Sequence, residues 1–574
     1  MDSSEEQECG QQLKEVEIPV STSVLVVGSG HVACFAAREL AHSGHEVLWC
    51  SSEGAIMQPR ADQCHDRIFI DTGSWATEIE GNERIKIIAP AEVVEFRGFP
   101  GRFRLTVKDA RDLICTREIG AVILATEPAL HTHFEAWGVS GSERVRSLSW
   151  LESRMDSPEH DPGLLQDSEN RGLRVVFICG FTHHSNPCTQ KRAVEAALKL
   201  SSQRDNQILF LTEQFKVAHP GMERLSRKTR EAGVLFVKPS GMGPRLAMIG
   251  RQVELTYEDE SLGRAVTLSP DLVVLEESYR PGPEIAVLSE KLGIETDRQG
   301  FFQGENIYNQ PVQTNREGIL AVGNARGPVC LEQALEETRA AVLIVHRLLG
   351  KGKRQVVENR IWLDTKKCTI CLTCYRLCPH NAISPMNRRP VFDDLACKLC
   401  GICAAECPMD AIQIHGFTDQ QISSQIKDAE GLKDPERDSP PPAIMAFCCR
   451  NSALEAAELA VFRDLHIPEG LVLIRVPCAG RVDAHDLIGA FRAGADGVMV
   501  LGCHPESCKS VRGNDLACWR VETIKEALAE AGLEQERLSY GSLAPGMSTE
   551  FVRLAQDMEA RLLLLGKSPL RRYA

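Results

Sequence analysis

The sequence predicts an α/β chain of several domains: a Rossmann-like nucleotide-binding module with an inserted second α/β lobe, a small α+β insert rich in cysteine, and a C-terminal parallel α/β domain. Three observations predict it. An apolar run at Val24–Val27 enters a glycine turn and then a helical pattern. Two copies of one cysteine pattern stand in tandem from Cys368. Beyond residue 442, strand and helix patterns alternate to the end of the chain. A length of 574 residues exceeds what one hydrophobic core supports. The expected division is an acidic N-terminal segment (1–21), the first part of the nucleotide module (22–150), the second lobe (151–312), the module's closing part (313–357), the cysteine insert (358–417), a charged and proline-rich linker (418–442) and the C-terminal domain (443–574).

Composition narrows the function. A hydrophobic share of 43% and a charged share of 25% are those of a globular protein. A formal charge of -14 argues against nucleic acid or an anionic membrane surface as partner. The opening "MDSSEEQECGQQLKEVEIP" is acidic, unlike a secretory or transit leader, so a cytoplasmic location is expected. No apolar run approaches the ~20 residues that cross a bilayer, so any membrane contact is expected only through a partner. In that setting 22 cysteines point to metal thiolates rather than disulfides.

The first module is carried by "STSVLVVGSGHVACFAARELAHSGHEVLWCSSEG". In the turn Gly28-Ser29-Gly30-His31, Gly28 permits the tight bend and Gly30 lets the backbone approach a pyrophosphate; Ala33 allows close helix–strand packing. The acid expected to hold a ribose hydroxyl falls at Ser51, with Glu53 two residues on. "GAVILATEPAL" (120–130) has the form of a second flavoprotein motif, and "TNREGILAVGNARGPVCLEQALEETRAAVLIV" (314–345) that of a third, with Asn324 at its usual acidic position. Three motifs in this order suit FAD. An empty Rossmann fold is the alternative. Between them, "LRVVFICGFTHHSNPCTQKRAVEAALKL" (173–200) has no G-x-G-x-x-G, which argues against direct NAD(P)H binding. His183 and His184 stand in this segment as candidate ligands or as solvated loop residues.

Each cysteine run reads C-x2-C-x2-C-x3-C-P, at Cys368, Cys371, Cys374, Cys378 and at Cys397, Cys400, Cys403, Cys407. In such a pair the fourth cysteine ligates the other cubane. The expected sets are Cys368, Cys371, Cys374 with Cys407, and Cys397, Cys400, Cys403 with Cys378, for two [4Fe–4S] clusters. A zinc site needs four ligands in one tetrahedron and leaves this spacing unexplained.

In the C-terminal domain Cys448 and Cys449 follow the first predicted strand, Cys478 the second, and Cys503 and Cys508 the third. Parallel strands bring their carboxyl ends to one edge, where ligands bind. Cysteines from three strand ends thus converge on one expected cluster.

Two resemblances add to this reading. "AEVVEFRGFPGRFRLTV" (91–107), "FKVAHPGMERLSRKTREAGVLFV" (215–237) and "GILAVGNARGP" (318–328), followed by the paired cysteine motif, resemble the A subunit of heterodisulfide reductase over residues 22 to 416. That resemblance implies FAD contacts at Gly28, Gly30, Ala33, Val93, Ala125, Thr126, Gly323 and Asn324. The segment that holds an extra cluster in many family members keeps only Cys179 and Cys188, so no such cluster is carried over. "VPCAGRVDAHDLIGAFRAGADGVMVLGCHPESC" resembles the delta subunit of methyl-viologen-reducing hydrogenase, a [2Fe–2S] protein. Its matched positions are Cys449, Cys478, Cys503 and Cys508, with Ser452 in place of a further cysteine and Cys448 as the alternative ligand.

The domain order is similar to the B subunit of the quinone-interacting membrane-bound oxidoreductase. It implies an oxidoreductase component that relays electrons through FAD, two [4Fe–4S] clusters and a [2Fe–2S] cluster, with flavin-based bifurcation as an open extension. Its partners would be other subunits of a heterodisulfide-reductase-like or quinone-interacting complex. The alternatives are a cluster-bearing scaffold and an NAD(P)H:ferredoxin-type oxidoreductase.

Overall fold

The computed structural model describes residues 14–52, 72–156, 172–203, 205–302, 312–430, 440–505 and 507–570. Its first lobe is built on a five-stranded parallel sheet, in the order Ile319–Ala321, Ala121–Ala125, Val24–Gly28, Val47–Cys50, Ile85–Ile88. The central strands are apolar along their whole length because both faces are covered. Val24 and Val26 pack with helices Gly30–His42 and Leu331–Leu349. Leu25 and Val27 face the other way, onto Phe103 and Leu105 of an antiparallel meander and onto Ile285 and Leu288 of helix Glu284–Leu292.

The second lobe repeats this plan. Its parallel sheet runs Val145–Ser147, Leu272–Leu275, Arg174–Cys179, Gln207–Thr212, Leu235–Val237, and an antiparallel meander of Pro239–Ile249, Gln252–Asp259 and Arg264–Leu268 follows. In both lobes the first strand of the unit is central and the second and third lie to one side. The chain passes between lobes twice, and the two crossings pair antiparallel as Ala129–Thr132 with Glu277–Arg280.

The N-terminal strand Lys14–Pro19 pairs with Lys353–Glu358. Next comes the cysteine insert, with strand pairs Ile361–Leu363/Ile412–Ile414 and Ile383–Met386/Arg389–Phe392 and two short helices, Thr373–Leu377 and Ile402–Ala405.

The span expected as a linker, 418–442, is not all linker: Asp419–Glu430 is a helix. Thr418 and Gln421 form a reciprocal cap, with Gln421 N donating to Thr418 Oγ1 (3.1 Å) and Thr418 N to Gln421 Oε1 (3.0 Å). Ile422, Ile426 and Ala429 lie on one face and join Met445, Ile474 and Leu487 in the core of the next domain. The proline-rich composition beyond it hides this short amphipathic pattern.

The C-terminal domain is a four-stranded parallel sheet, Leu471–Val476, Ile444–Cys449, Gly497–Gly502, Leu538–Ser542, with helices on both faces. A last helix, Ser548–Leu565, lies beyond the elements the sequence pattern predicts. Among the described residues no helix is long and apolar enough to cross a membrane.

Ile422 is fully buried between the capped helix and the C-terminal sheet. Replacing it with alanine should cost about 2–5 kcal/mol, seen as a lower thermal midpoint of the C-terminal domain. An unchanged midpoint would make the helix a passive tether.

Candidate functional site: converging thiols and a glycine turn

The two cysteine loops are copies down to their backbone angles. Ile370 and Leu399 (φ 59 and 55), Leu372 and Gly401 (58 and 84), and Asn381 and Asp410 (49 and 48) occupy matching left-handed positions. For a non-glycine residue that region costs about 1–3 kcal/mol, so something beyond local propensity holds the loops. Cys368, Cys371, Cys374 and Cys407 line one hollow, with Leu363, Pro390 and Ile412. Cys397, Cys400, Cys403 and Cys378 line the other, with Ile361, Phe392 and Ile414. The exchange of the fourth cysteine between loops is thus present in the geometry. Backbone amides of Ala382, Leu399 and Ala411 donate to Sγ of Cys378, Cys397 and Cys407 at 3.4, 3.3 and 3.3 Å.

Burial in these hollows pushes the Cys374 and Cys397 thiols up to about 11 and Cys400 to about 12. Lone thiolates at these three positions are therefore disfavoured, and a bound cation would offset the cost of ionising them. Four sulfurs, an apolar lining and N–H donors to sulfur fit a [4Fe–4S] cluster.

The third thiol group is assembled by the C-terminal sheet. Cys449, Cys478, Cys503 and Cys508 are all buried. Cys449 Sγ lies 3.9 Å from Cys503 Sγ. Cys449 and Cys508 each lie beside both Cys478 and Cys503, and these sulfur neighbours hold them well below the usual thiol range. The four sulfurs therefore close a ring. Helix Gly513–Glu530 begins against it: a Cβ on Gly513 would stand 2.3 Å from Cys478 Sγ, and the Asn514 amide reaches Cys508. A helix N-terminus facing thiolates stabilises their charge. Cys448 points the opposite way, into the cluster of Ile444 and Ala446 on the sheet's other face. Strand alternation decides between the two neighbours. Ser452 Oγ is buried at the start of the adjacent helix. The donor set is four cysteine sulfurs, which suits a [2Fe–2S] cluster.

The hollow holding Cys400 and the four-thiol ring share a wall. Ser510, two residues beyond Cys508, lies beside Cys400 and opposes the upward push that burial gives its thiol. A Cβ on Gly480 would stand 3.0 Å from Ile402 Cγ1, and one on Gly401 would strike the Arg481 side chain at 2.6 Å. Arg481 is fully buried and pairs with Asp419, Asp486 and Asp483. Arg520 bonds the Val482 carbonyl and Glu406, the residue before Cys407. On its other side the insert is fixed to the first lobe: Asn315 Nδ2 donates to Pro379 O (2.6 Å), His380 Nδ1 to Asn315 O (2.7 Å) and Asn381 Nδ2 to Gly293 O (2.8 Å).

The glycine turn has the form a dinucleotide needs. Gly28 and Gly30 have φ of +136 and +76, and a Cβ on Gly28 would stand 2.0 Å from Ala125 O. Ser29 is the helix N-cap, His31 is buried, and Ala33 is sealed in the core beneath them. Thr126 Oγ1 is buried with no hydrogen-bond partner, an unmet polar group at the same strand end. Ser51 is buried at the end of the next strand, and its carbonyl accepts from Ala91 N at 2.7 Å. Glu53 lies outside the described residues. Val93 is buried in the meander. Asn324 Oδ1 accepts from Val329 N at 3.1 Å and so closes its own turn.

Two carboxylates stand in this region that no sequence motif singles out. Glu127 Oε1 lies 2.2 Å from where a Gly30 Cβ would be, and Glu337 Oε2 accepts from Gly323 N at 2.9 Å. The Glu127 group sits where a helix N-terminus draws an anion. The residues fit FAD with Glu127 as the group a pyrophosphate displaces. Arg481, Arg520 and Ser510 also escape sequence reasoning, since nothing in a local motif marks a residue that acts across domains.

Residues 444–566 match the family described as methyl-viologen-reducing hydrogenase, delta subunit, and residues 360–408 match the 4Fe-4S dicluster domain. The A subunit of the ferredoxin:CoB-CoM heterodisulfide reductase of Methanosarcina mazei is 29% identical over 82% of this chain and 60% of its own length. The chain therefore spans little more than half the length of such relatives. The D iron-sulfur subunit of the F420-non-reducing hydrogenase vhu of Methanocaldococcus jannaschii is 35% identical over 23% of this chain and 97% of its own. Among solved structures, T. acidophilum thioredoxin reductase covers 57% of this chain at 15% identity and a TM-score of 0.39.

Two substitutions test the geometry. Cys449→Ser should remove the iron held by the C-terminal domain while Cys448→Ser leaves it, as read by iron content and EPR; the reverse pattern would refute the strand-face assignment. Glu127→Gln should tighten flavin retention about tenfold, near 1.4 kcal/mol, by equilibrium dialysis against FAD. Weaker retention would show that Glu127 supports the site instead.

Proposed function

Because this chain is a flavoprotein like the A subunit of heterodisulfide reductase, and its C-terminal domain belongs to the methyl-viologen-reducing hydrogenase delta subunit family, we propose that it is an electron-relay component of a larger complex. It carries FAD, two [4Fe–4S] clusters and one [2Fe–2S] cluster, and partner subunits supply the terminal chemistry. The flavin exchanges electron pairs with one side and single electrons with the clusters. The chain's own residues set the order of the sites.

The observation that carries this reading is the placement of the Cys397/Cys400/Cys403/Cys378 hollow. It is walled by the first lobe through Asn315 and by the C-terminal domain through Ser510. The Cys368/Cys371/Cys374/Cys407 hollow lies outward, where Ile370, Cys371, Tyr375 and Met409 are exposed. A partner seated on those side chains would exchange electrons with the outer cluster. The middle cluster would pass them to either neighbouring domain. The partners fit other subunits of a heterodisulfide-reductase-like or quinone-interacting complex.

Direct reduction by NAD(P)H is disfavoured by the second lobe. At its strand–helix turn the Gly180 amide donates to Glu276 Oε2 at 2.8 Å, and Ser185 donates to the same carboxyl. Burial pushes Glu276 up to about 7. Asn186 caps the following helix by accepting from Thr189 N at 2.9 Å. The anion position is thus filled from within.

Protein purified without oxygen should hold about ten irons, with acid-labile sulfide to match and one extractable FAD. Cys378→Ser should cost the cluster of the Cys397 loop and leave that of the Cys368 loop, seen as a change in the reduced EPR signal. Colourless protein, or protein with zinc alone, would end the relay reading. Rapid bleaching of the flavin by NADPH alone would favour the NAD(P)H-dependent alternative.

A further inference from the structure

A second group of metal-binding side chains lies between the two lobes, apart from the twelve cysteines above. A ring nitrogen of His219, Sγ of Cys330 and a carboxylate oxygen of Glu332 all lie within 4.8 Å of one another. Cys188 lies beside this group, its thiol close enough to Cys330 for the two to interact electrostatically. These residues come from three places. Cys188 is in the first turn of helix Pro187–Ser201, in the second lobe. His219 precedes helix Met222–Glu231 of the same lobe. Cys330 caps helix Leu331–Leu349 of the first lobe, and Glu332 is in its first turn.

His219 supplies the independent sign of a ligand. It is 7% exposed. Its Nδ1 donates to Pro220 O at 2.8 Å, which leaves the lone pair on Nε2, and Nε2 is buried with no hydrogen-bond partner. Metal-bound histidines are oriented in this way, one nitrogen on a backbone carbonyl and the other on the ion. We propose that Cys188, His219, Cys330 and Glu332 bind one divalent cation of the zinc type, tying the two lobes together. Two sulfurs, one imidazole nitrogen and one carboxylate oxygen form a tetrahedral set for a borderline-soft ion. With both thiols ionised the bound site carries one net negative charge. Lys191 Nζ, 3.5 Å from Glu332 Oε1, offsets it.

The proposal does not depend on the relay function, and its test reads metal directly. Full-length protein with its clusters assembled is loaded with Zn(II), desalted against a mild chelator and analysed for zinc and iron. The expected result is about one zinc per chain beyond the iron. Co(II) in its place should give the intense visible absorption of a tetrahedral site with thiolate charge-transfer bands. Cys188→Ser/Cys330→Ser should lose both signals with iron and flavin content unchanged. Zinc retained by that variant would lie at other cysteines and would overturn the proposal. So would a Cys188–Cys330 disulfide in anaerobically prepared protein, found by peptide mass spectrometry. If the double variant does not fold, His219→Gln, with all thiols intact, decides: at least tenfold weaker zinc binding is expected, and unchanged affinity refutes the site.

Discussion

Ionised sulfur cannot stand alone in a dry interior. Each hollow of the cysteine insert gathers four thiols, and in the inner one burial pushes Cys378, Cys397, Cys400 and Cys403 all upward, so that their ionisation calls for a cation. Because Cys378 and Cys407 each cross to the other loop's hollow, neither loop is complete without its twin.

The rest of the architecture keeps these hollows close to their neighbours. Arg481 and Arg520 are long, buried cations that bind carboxylates and carbonyls on both sides of the boundary between insert and C-terminal domain. A buried arginine left without such partners would be costly, so the boundary is specified as well as closed. Bare glycines at 401 and 480 let the backbones meet where a methyl group would collide. The two lobes share a further device. Each repeats a parallel sheet with a meander, and in each a carboxylate, Glu127 or Glu276, stands at the glycine turn. In the second lobe that carboxyl is locked by Ser185 and Gly180. In the first, the unmet hydroxyl of Thr126 beside it leaves a role for a ligand.

Local patterns in the chain are readable where the physics is local. Spacing of two and three residues between cysteines wraps a cubane whatever surrounds it. The glycine turn between Val27 and Ala33 likewise reports a strand–helix bend. Legibility fails where a residue's role depends on what lies opposite. The helix Asp419–Glu430 reads as linker in the sequence because its three apolar residues gain meaning only against Met445 and Ile474. Asn324 stands at a flavin motif's usual acid yet bonds its own turn.

By itself the sequence determined the class of the domains, the two groups of four cysteines and the strands whose ends carry the C-terminal cysteines, because each follows from short-range spacing and strand period. Tertiary structure alone decided that Cys449 rather than Cys448 faces the four-sulfur ring, that Ser510 brings this ring against Cys400, and that Cys188 meets Cys330 across the lobes. Those facts depend on which faces pack together, and packing between distant segments leaves no trace in the spacing of neighbours.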